Sequence, residues 1–156
     1  APKNAAAATR ARVEAAIAES QGARGASGIG DYLAADRGIQ EIVAAENAGQ
    51  GFTSFTALKR SLGGSAGTGQ AFHHLVEQTR GNVARFGARA VQNTGNIIRL
   101  PHGAGSIHAR ISGYYSSVQP GISGSLTVRQ WLATRSFSYQ RSFSLQLLKT
   151  YGVNVP

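Results

Sequence analysis

The chain has 156 residues, enough for one domain with a real core but too few for a second catalytic domain. It has no cysteine, which excludes disulfides and thiolate zinc clusters, and no stretch approaches the roughly 18 consecutive apolar residues of a membrane span. Lysine and arginine number 16 against 7 acids, a net charge of +9, and Glu77 is the only acid after residue 50. We therefore expect a soluble basic domain without membrane insertion, whose charge indicates either a polyanion-binding surface or a merely solvated one.

Residues 1–50 are predicted to form a helical leader or linker arm ahead of the main domain. Residues 4–20 are rich in alanine with few large apolar side chains, so a helix there contributes little core. A more amphipathic helix is expected from Asp31 to Asn47, ended by Gly49. Because the chain begins at Ala1 and lacks methionine, we expect a fragment or processed piece of a longer protein, or loss of an initiator methionine.

Residues 51–156 are predicted to form one α+β domain, mostly helical, around a very small sheet. A glycine-rich loop at 63–70 lacks the Gly-Lys-Ser/Thr of a P-loop. The expected elements are a helix from Phe55 to Leu62 capped by Thr53 or Ser54, a strand from Ala71 to Val76, an irregular or short helical segment at 79–92, a strand from Asn96 to Leu100, a helix from Ser106 to Ser116, a loop at 118–126, a helix from Val128 to Leu132 capped by Thr127, and a last helix from Phe137 to Tyr151.

All four histidines of the chain lie between residues 73 and 108. His73 and His74 are adjacent in the first predicted strand, and His108 lies in a predicted helix. A neutral imidazole is both a fair base and a good ligand for divalent first-row metals, so the cluster indicates a one-metal site for phosphodiester hydrolysis. Neighbouring side chains on a regular strand point to opposite faces, so His73 and His74 can serve one site only at a strand end or a distortion.

Three motifs together carry a family resemblance: HHLVEQ at 73–78, NIIRLP at 96–101, and a helical histidine followed by ISGYYS at 111–116. Residues 50–152 resemble the HNH endonucleases, the His-Me finger or ββα-metal nucleases, and most of all the toxin branch of bacterial polymorphic toxins. The resemblance implies a two-stranded hairpin plus a helix around one divalent ion. It further implies that His73 and His108 bind this ion, that His74 is the general base, and that Asn96 orients the base or supports the connecting loop.

The sequence departs from the family pattern in three places. His73 stands where the superfamily often has aspartate, which leaves the site without a carboxylate unless Glu77 supports it; Glu77 can equally pair with an arginine. Phe72 replaces a tryptophan that is common in related toxins, and we expect an effect on packing only. The helix has one histidine where many relatives have two metal-binding residues, so His102 becomes a candidate third ligand. The ion is expected to be Mg, Mn, Zn or Ni, with no small-molecule cofactor.

The motifs and the charge together predict a metal-dependent, largely nonspecific endonuclease that acts on DNA in preference to RNA. Arg80, Arg99 and Arg110 lie nearest the motifs and are expected to contact phosphates, since forked guanidinium groups fit phosphate oxygens. The resemblance implies an antibacterial toxin domain, secreted or delivered by a bacterial secretion system into the target-cell cytoplasm, and an acidic immunity protein that neutralises it. Two alternatives stay open: a metal-independent ribonuclease that uses the paired histidines as acid and base, and a basic nucleic-acid-binding module without turnover.

Overall fold

The computed structural model describes residues 29–155, and their side chains from residue 37 onward. This part of the chain forms eight helices and one two-stranded antiparallel sheet, which confirms the expected α+β class. The helix predicted at residues 4–20 lies outside the described residues. In order, the elements are α1 (Ile29–Asn47), α2 (Phe55–Ser61), β1 (Gln70–His74), α3 (Arg80–Phe86), α4 (Ala88–Val91), a 3-10 turn (Thr94–Asn96), β2 (Ile97–Pro101), α5 (Ile107–Tyr115), α6 (Pro120–Ser123), α7 (Val128–Leu132) and α8 (Phe137–Thr150).

Hydroxyl side chains set the start of five helices. Each accepts a hydrogen bond from the backbone N–H three residues later, which satisfies one of the free amides of a first turn. The predicted caps Ser54 of α2 and Thr127 of α7 are confirmed, and Thr127 forms a capping box with Gln130. The other three caps are Thr79 of α3, Ser106 of α5 and Ser136 of α8.

One segment takes the short helical form that the sequence leaves open, and one is more ordered than the sequence indicates. Residues 79–92 form the two short helices α3 and α4, separated by Gly87, whose φ of 89° is accessible mainly to glycine. The loop predicted at 118–126 contains the short helix α6, which begins at Pro120 because a proline is well tolerated in a first helical turn.

The hairpin of β1 and β2 is regular throughout. The pairs run without interruption from Gln70 opposite Pro101 to His74 opposite Ile97. β1 therefore ends two residues before the predicted end, and Asn96 lies in the 3-10 turn that leads into β2. An uninterrupted register makes side chains alternate between the two faces of the sheet, so His73 and His74 face opposite sides.

Each face of the hairpin borders its own apolar cluster. The cluster on the His73 side, here cluster A, consists of Leu75, Leu100, Ile111, Tyr115, Val128, Leu132 and Leu148. The cluster on the His74 side, here cluster B, consists of Ile42, Val76, Phe86, Ala90, Val91 and Phe137. Leu75 and Val76, directly after β1, enter clusters A and B respectively, so the hairpin is held between two sets of helices.

Helix α1 belongs to this packed structure. The sequence places it in a leader arm that ends at residue 50, yet its Ile42 is a member of cluster B, and the helix packs against α4 and α8. The reason is its apolar stripe, of which Ile39 and Ile42 are buried. A boundary at residue 51 therefore separates side chains that pack together. Among the described residues, no helix combines the length and hydrophobicity that a bilayer crossing requires.

Candidate metal and base site

Three of the four histidines come together on the cluster A side of the hairpin. The rings of His73 on β1 and His108 on α5 have centroids 6.0 Å apart, and the rings of His102 and His108 are 5.4 Å apart. His73 is 6% exposed, His108 is half-buried and His102 is exposed, so the group extends from the interior to the surface. The structure thus brings the two predicted ligands and the third candidate into one place.

The buried end of this group has an unsatisfied nitrogen. Nε2 of His73 is buried and finds no hydrogen-bond partner within residues 29–155. Burial, together with the neighbouring His108 and His74 imidazoles, lowers the pKa of His73 to about 4. Burial and then the nearby His102 also lower the pKa of His108. These rings are therefore neutral near pH 7, which is the form that binds a metal.

The separation of the rings suits a shared ion, although three ligands do not yet surround one point. Imidazoles that bind one ion through nitrogens about 2.1 Å from it have ring centroids roughly 4.5 to 6 Å apart. The 6.0 Å and 5.4 Å separations fall at the upper part of that interval. Within the described part of the chain, however, no three His, Asp or Glu side chains already stand in positions to hold a metal together. His102 is the exposed member of the group, and a surface side chain changes rotamer readily.

His74 lies on the other face, against α2 and the end of α4. Its ring meets the Phe55 ring edge to face at a centroid distance of 4.9 Å, and its Nε2 lies 2.8 Å from Oε1 of Gln92. Burial lowers the pKa of His74, and the Gln92 hydrogen bond opposes that effect. The distortion that would turn His73 and His74 to one face is absent from β1, whose register is regular. The two rings nevertheless affect each other, since a charge on His74 lowers the pKa of His73.

Gln92 and Gln78 form an amide chain that sequence reasoning missed. Nε2 of Gln92 donates to Oε1 of Gln78 at 2.8 Å, so His74, Gln92 and Gln78 lie in one hydrogen-bonded row. Gln92 is buried and Gln78 is exposed. Gln78 stands inside the HHLVEQ motif, but Gln92 lies in a segment without a motif. Gln92 is identified only in the folded structure, where its side-chain amide meets Gln78 and the His74 ring.

Asn96 ties the connecting loop and does not touch the His74 ring. Its Oδ1 accepts from the Val76 N–H at 2.9 Å, and its Nδ2 donates to the carbonyls of Val76 and Val91 at 3.0 and 2.9 Å. All three partners are backbone groups, and Asn96 itself is 2% exposed. Of the two roles expected for this residue, loop support matches the contacts. The orienting contact with His74 comes from Gln92 instead.

Glu77 is paired with an arginine. Arg129 Nε donates to both carboxylate oxygens of Glu77, at 3.0 and 3.1 Å, and Arg129 Nη1 donates to Ser116 Oγ. Burial raises the pKa of Glu77, whereas Arg129 lowers it. No contact joins Glu77 to a histidine in the part of the chain described, so the cluster of imidazoles stands without a carboxylate.

The three arginines expected to bind phosphate are all exposed. Arg99 shares the His74 face of the hairpin, opposite Phe72, whose ring lies 5.2 Å from the guanidinium carbon. Arg110 lies on α5 with its guanidinium 4.7 Å from the Tyr151 ring. Arg80 is at the start of α3. Arginines thus flank the hairpin on both faces.

Comparisons with protein-family models, with curated proteins and with solved structures found no match to this chain.

Proposed function

We propose that this domain is a metal-dependent endonuclease with a histidine base. The observation that carries the proposal is the meeting of His73 and His108, whose rings are 6.0 Å apart, around a buried His73 nitrogen that has no partner among the described residues. Buried polar atoms are almost always satisfied, so an orphaned imidazole nitrogen beside a second imidazole is a strong sign of a ligand site. The basic surface around it supplies attraction for a polyanion.

The donor atoms favour certain metals. With Glu77 engaged by Arg129, the site offers imidazole nitrogens and no carboxylate. Imidazole suits zinc, nickel and similar ions, whereas magnesium prefers oxygen ligands. We therefore infer that Zn²⁺ or Ni²⁺ is held by His73 and His108, with His102 as the third ligand, and that Mg²⁺ and Mn²⁺ bind weakly. Bound there, the cation neutralises negative charge on the scissile phosphate.

We expect the substrate to approach at the edge of β1 that has no strand partner, because that edge borders both histidine faces. In the described residues β1 pairs with β2 on one edge only, so its other edge has no strand partner. A phosphodiester lying across that edge has His73 on one side and His74 on the other. Arg99 on the His74 face and Arg110 on α5 then hold the neighbouring phosphates by charge-assisted hydrogen bonds.

The chain's own residues divide the chemistry between them. His74 accepts a proton from a water molecule, whose oxygen forms a bond to phosphorus as the bond to the departing 3′ oxygen breaks. The departing oxygen takes a proton from solvent. A positioned general base of this kind contributes about 100- to 10,000-fold in rate. The amide of Gln92 holds the His74 ring in place during this transfer.

Cleavage of a supercoiled plasmid tests the proposal. Purified protein is incubated with plasmid and Zn²⁺, Ni²⁺, Mn²⁺ or Mg²⁺, with and without excess chelator, beside the variants His74→Ala and His108→Ala. We expect nicking that requires a transition metal and falls by at least about 100-fold in His74→Ala. Gln146→Ala, a change of an exposed polar residue on α8, is the matched control and leaves the rate unchanged.

Each other result rejects part of the proposal. Full nicking in excess chelator would reject the role of the metal. Undiminished nicking by His74→Ala would reject His74 as the general base. Binding without cleavage under every metal selects the basic nucleic-acid-binding module. Chelator-insensitive cleavage of RNA alone selects the ribonuclease. A role as a delivered antibacterial toxin with an acidic immunity protein rests on the family resemblance.

A further inference from the structure

The buried His74 imidazole is held at one nitrogen and confined around its ring. Nε2 lies 2.8 Å from Gln92 Oε1, and the Phe55 ring packs against the imidazole. No second hydrogen bond to this ring is formed by residues 29–155, and Nδ1 is not among the fully buried atoms that lack a partner. Nδ1 is therefore the ring nitrogen that no residue in this range occupies.

We propose that Gln92 is a positioning residue that keeps His74 in its Nε2–H tautomer, so that Nδ1 carries the lone pair and is the atom that takes the proton. This inference rests on the proposed function and names the atom at which the base works. An amide oxygen only accepts, and Nε2 opposite it must then donate. A neutral imidazole has one proton, so donation by Nε2 leaves Nδ1 unprotonated.

Hydrogen bonds from both the main chain and the side chain hold Gln92 in one orientation. Its backbone N–H donates to the Ala88 carbonyl at 2.6 Å, and its carbonyl accepts from the Phe52 N–H at 2.8 Å. Its side-chain NH₂ group donates to Gln78 Oε1, which leaves its oxygen for His74. The main chain and both ends of the amide are thus fixed before substrate arrives, as a positioning contact requires.

The opposite amide orientation makes a different prediction. If the NH₂ group of Gln92 faced His74, Nε2 would accept and Nδ1 would carry the proton. Neither nitrogen would then have a lone pair free to receive a proton from water. The tautomer of His74 therefore decides between a base that works and one that does not.

The tautomer is measured directly by ¹⁵N NMR of histidine-labelled protein at neutral pH, both metal-free and zinc-loaded. The His74 signals are assigned as those that disappear in the variant His74→Gln. We expect an unprotonated Nδ1 and a protonated Nε2 in the intact protein. Gln92→Leu removes the acceptor at similar volume and yields a mixture of tautomers, with kcat lowered about 10- to 100-fold and KM unchanged. Gln92→Glu keeps the acceptor, so it keeps the Nε2–H tautomer and retains most of the activity.

The control is Gln146→Leu, which makes the same substitution at an exposed site on α8 and changes neither readout. A protonated Nδ1 in the intact protein, or a Gln92→Leu variant that keeps both the Nε2–H tautomer and kcat, overturns the inference. A protein without nuclease activity overturns the proposed function, while the NMR signals still decide whether Gln92 sets the tautomer. Thermal unfolding of each variant confirms that it is folded before the comparison is made.

Discussion

Asn96 Oδ1 accepts a 2.9 Å hydrogen bond from the backbone N–H of Val76, and Asn96 Nδ2 returns a 3.0 Å bond to the Val76 carbonyl. This reciprocal pair, with a further bond to the Val91 carbonyl, closes the segment that runs from the end of β1 to the start of β2. It fixes the direction in which the chain leaves His74. The asparagine thus acts on the site through the backbone.

Replacing Asn96 by leucine therefore affects stability before it affects chemistry. One buried N–H and two carbonyls lose their partner, so we expect the free energy of unfolding to fall by about 3 kcal/mol. Urea denaturation measures this loss, and Asn154→Leu, at an exposed position, is the control. A loss below about 0.5 kcal/mol, the usual size at surface sites, would show that the loop is held by other contacts.

The pair formed by Glu77 and Arg129 gives a prediction that separates stability from metal binding. Because the Glu77 carboxylate is engaged by Arg129, Glu77→Gln is expected to lower the free energy of unfolding by about 1 kcal/mol. The affinity for Zn²⁺, measured by calorimetric titration, is expected to stay the same. A clear loss of zinc affinity in this variant would mean that the carboxylate supports the histidines after all.

The sequence carries much of the fold because local signals decide it. Ser54 and Thr127 cap their helices as predicted, and the two apolar runs locate both strands to within two residues. His108 lies on a helix that follows the second strand, as the motif spacing indicates. These features depend on neighbours in sequence, which is why they are accessible from the chain alone.

The parts that sequence reasoning missed depend on partners far apart in the chain. Gln92 is an ordinary amide until the fold places it against His74, and the sequence leaves open which arginine pairs with Glu77, because Arg129 lies 52 residues away. The regular geometry of β1 at His73 and His74 also depends on distant residues, since it requires unbroken pairing with β2. Local patterns contain none of this information.

The low pKa of His73 makes the stability of the metal-free protein depend on pH. The folded pKa of about 4 lies below the usual value of 6.5, so the unfolded chain takes up the proton first as pH falls. This contribution to stability is complete above about pH 6.5 and is lost as pH approaches 4, with a total size of about 3 kcal/mol. His74 and His108, whose pKa values are also lowered, act in the same direction.

Chemical denaturation in chelator at pH 7.5 and pH 4.5 measures this effect. Other groups titrate over the same interval, so the informative quantity is the difference in slope between the intact protein and His73→Gln. We expect the variant to lose less stability on acidification. Equal slopes would show that His73 accepts a proton in the folded state without cost, which its burial argues against.

The arginines beside the hairpin are expected to contribute to DNA binding through phosphate contacts. Arg99→Ala and Arg110→Ala should each weaken binding and reduce the slope of log K against log salt by about 1. Fluorescence anisotropy with a labelled duplex in chelator, over a series of salt concentrations, gives both quantities. Arg141, which lines a cavity between α1 and α8, is the control. An unchanged slope for Arg99 and Arg110, with a reduced one for Arg141→Ala, would move the binding surface to another face.

The central claim is that His73 and His108 hold one divalent cation, and calorimetric titration of Zn²⁺ into the metal-free protein tests it most directly. His108 is the better residue to change, because it is half-buried and its removal disturbs the core less than that of His73. We expect one ion per chain in the intact protein and an affinity at least about 100-fold weaker in His108→Ala, with a smaller loss in His102→Ala. No binding by the intact protein, or equal affinity in His108→Ala, would contradict the claim.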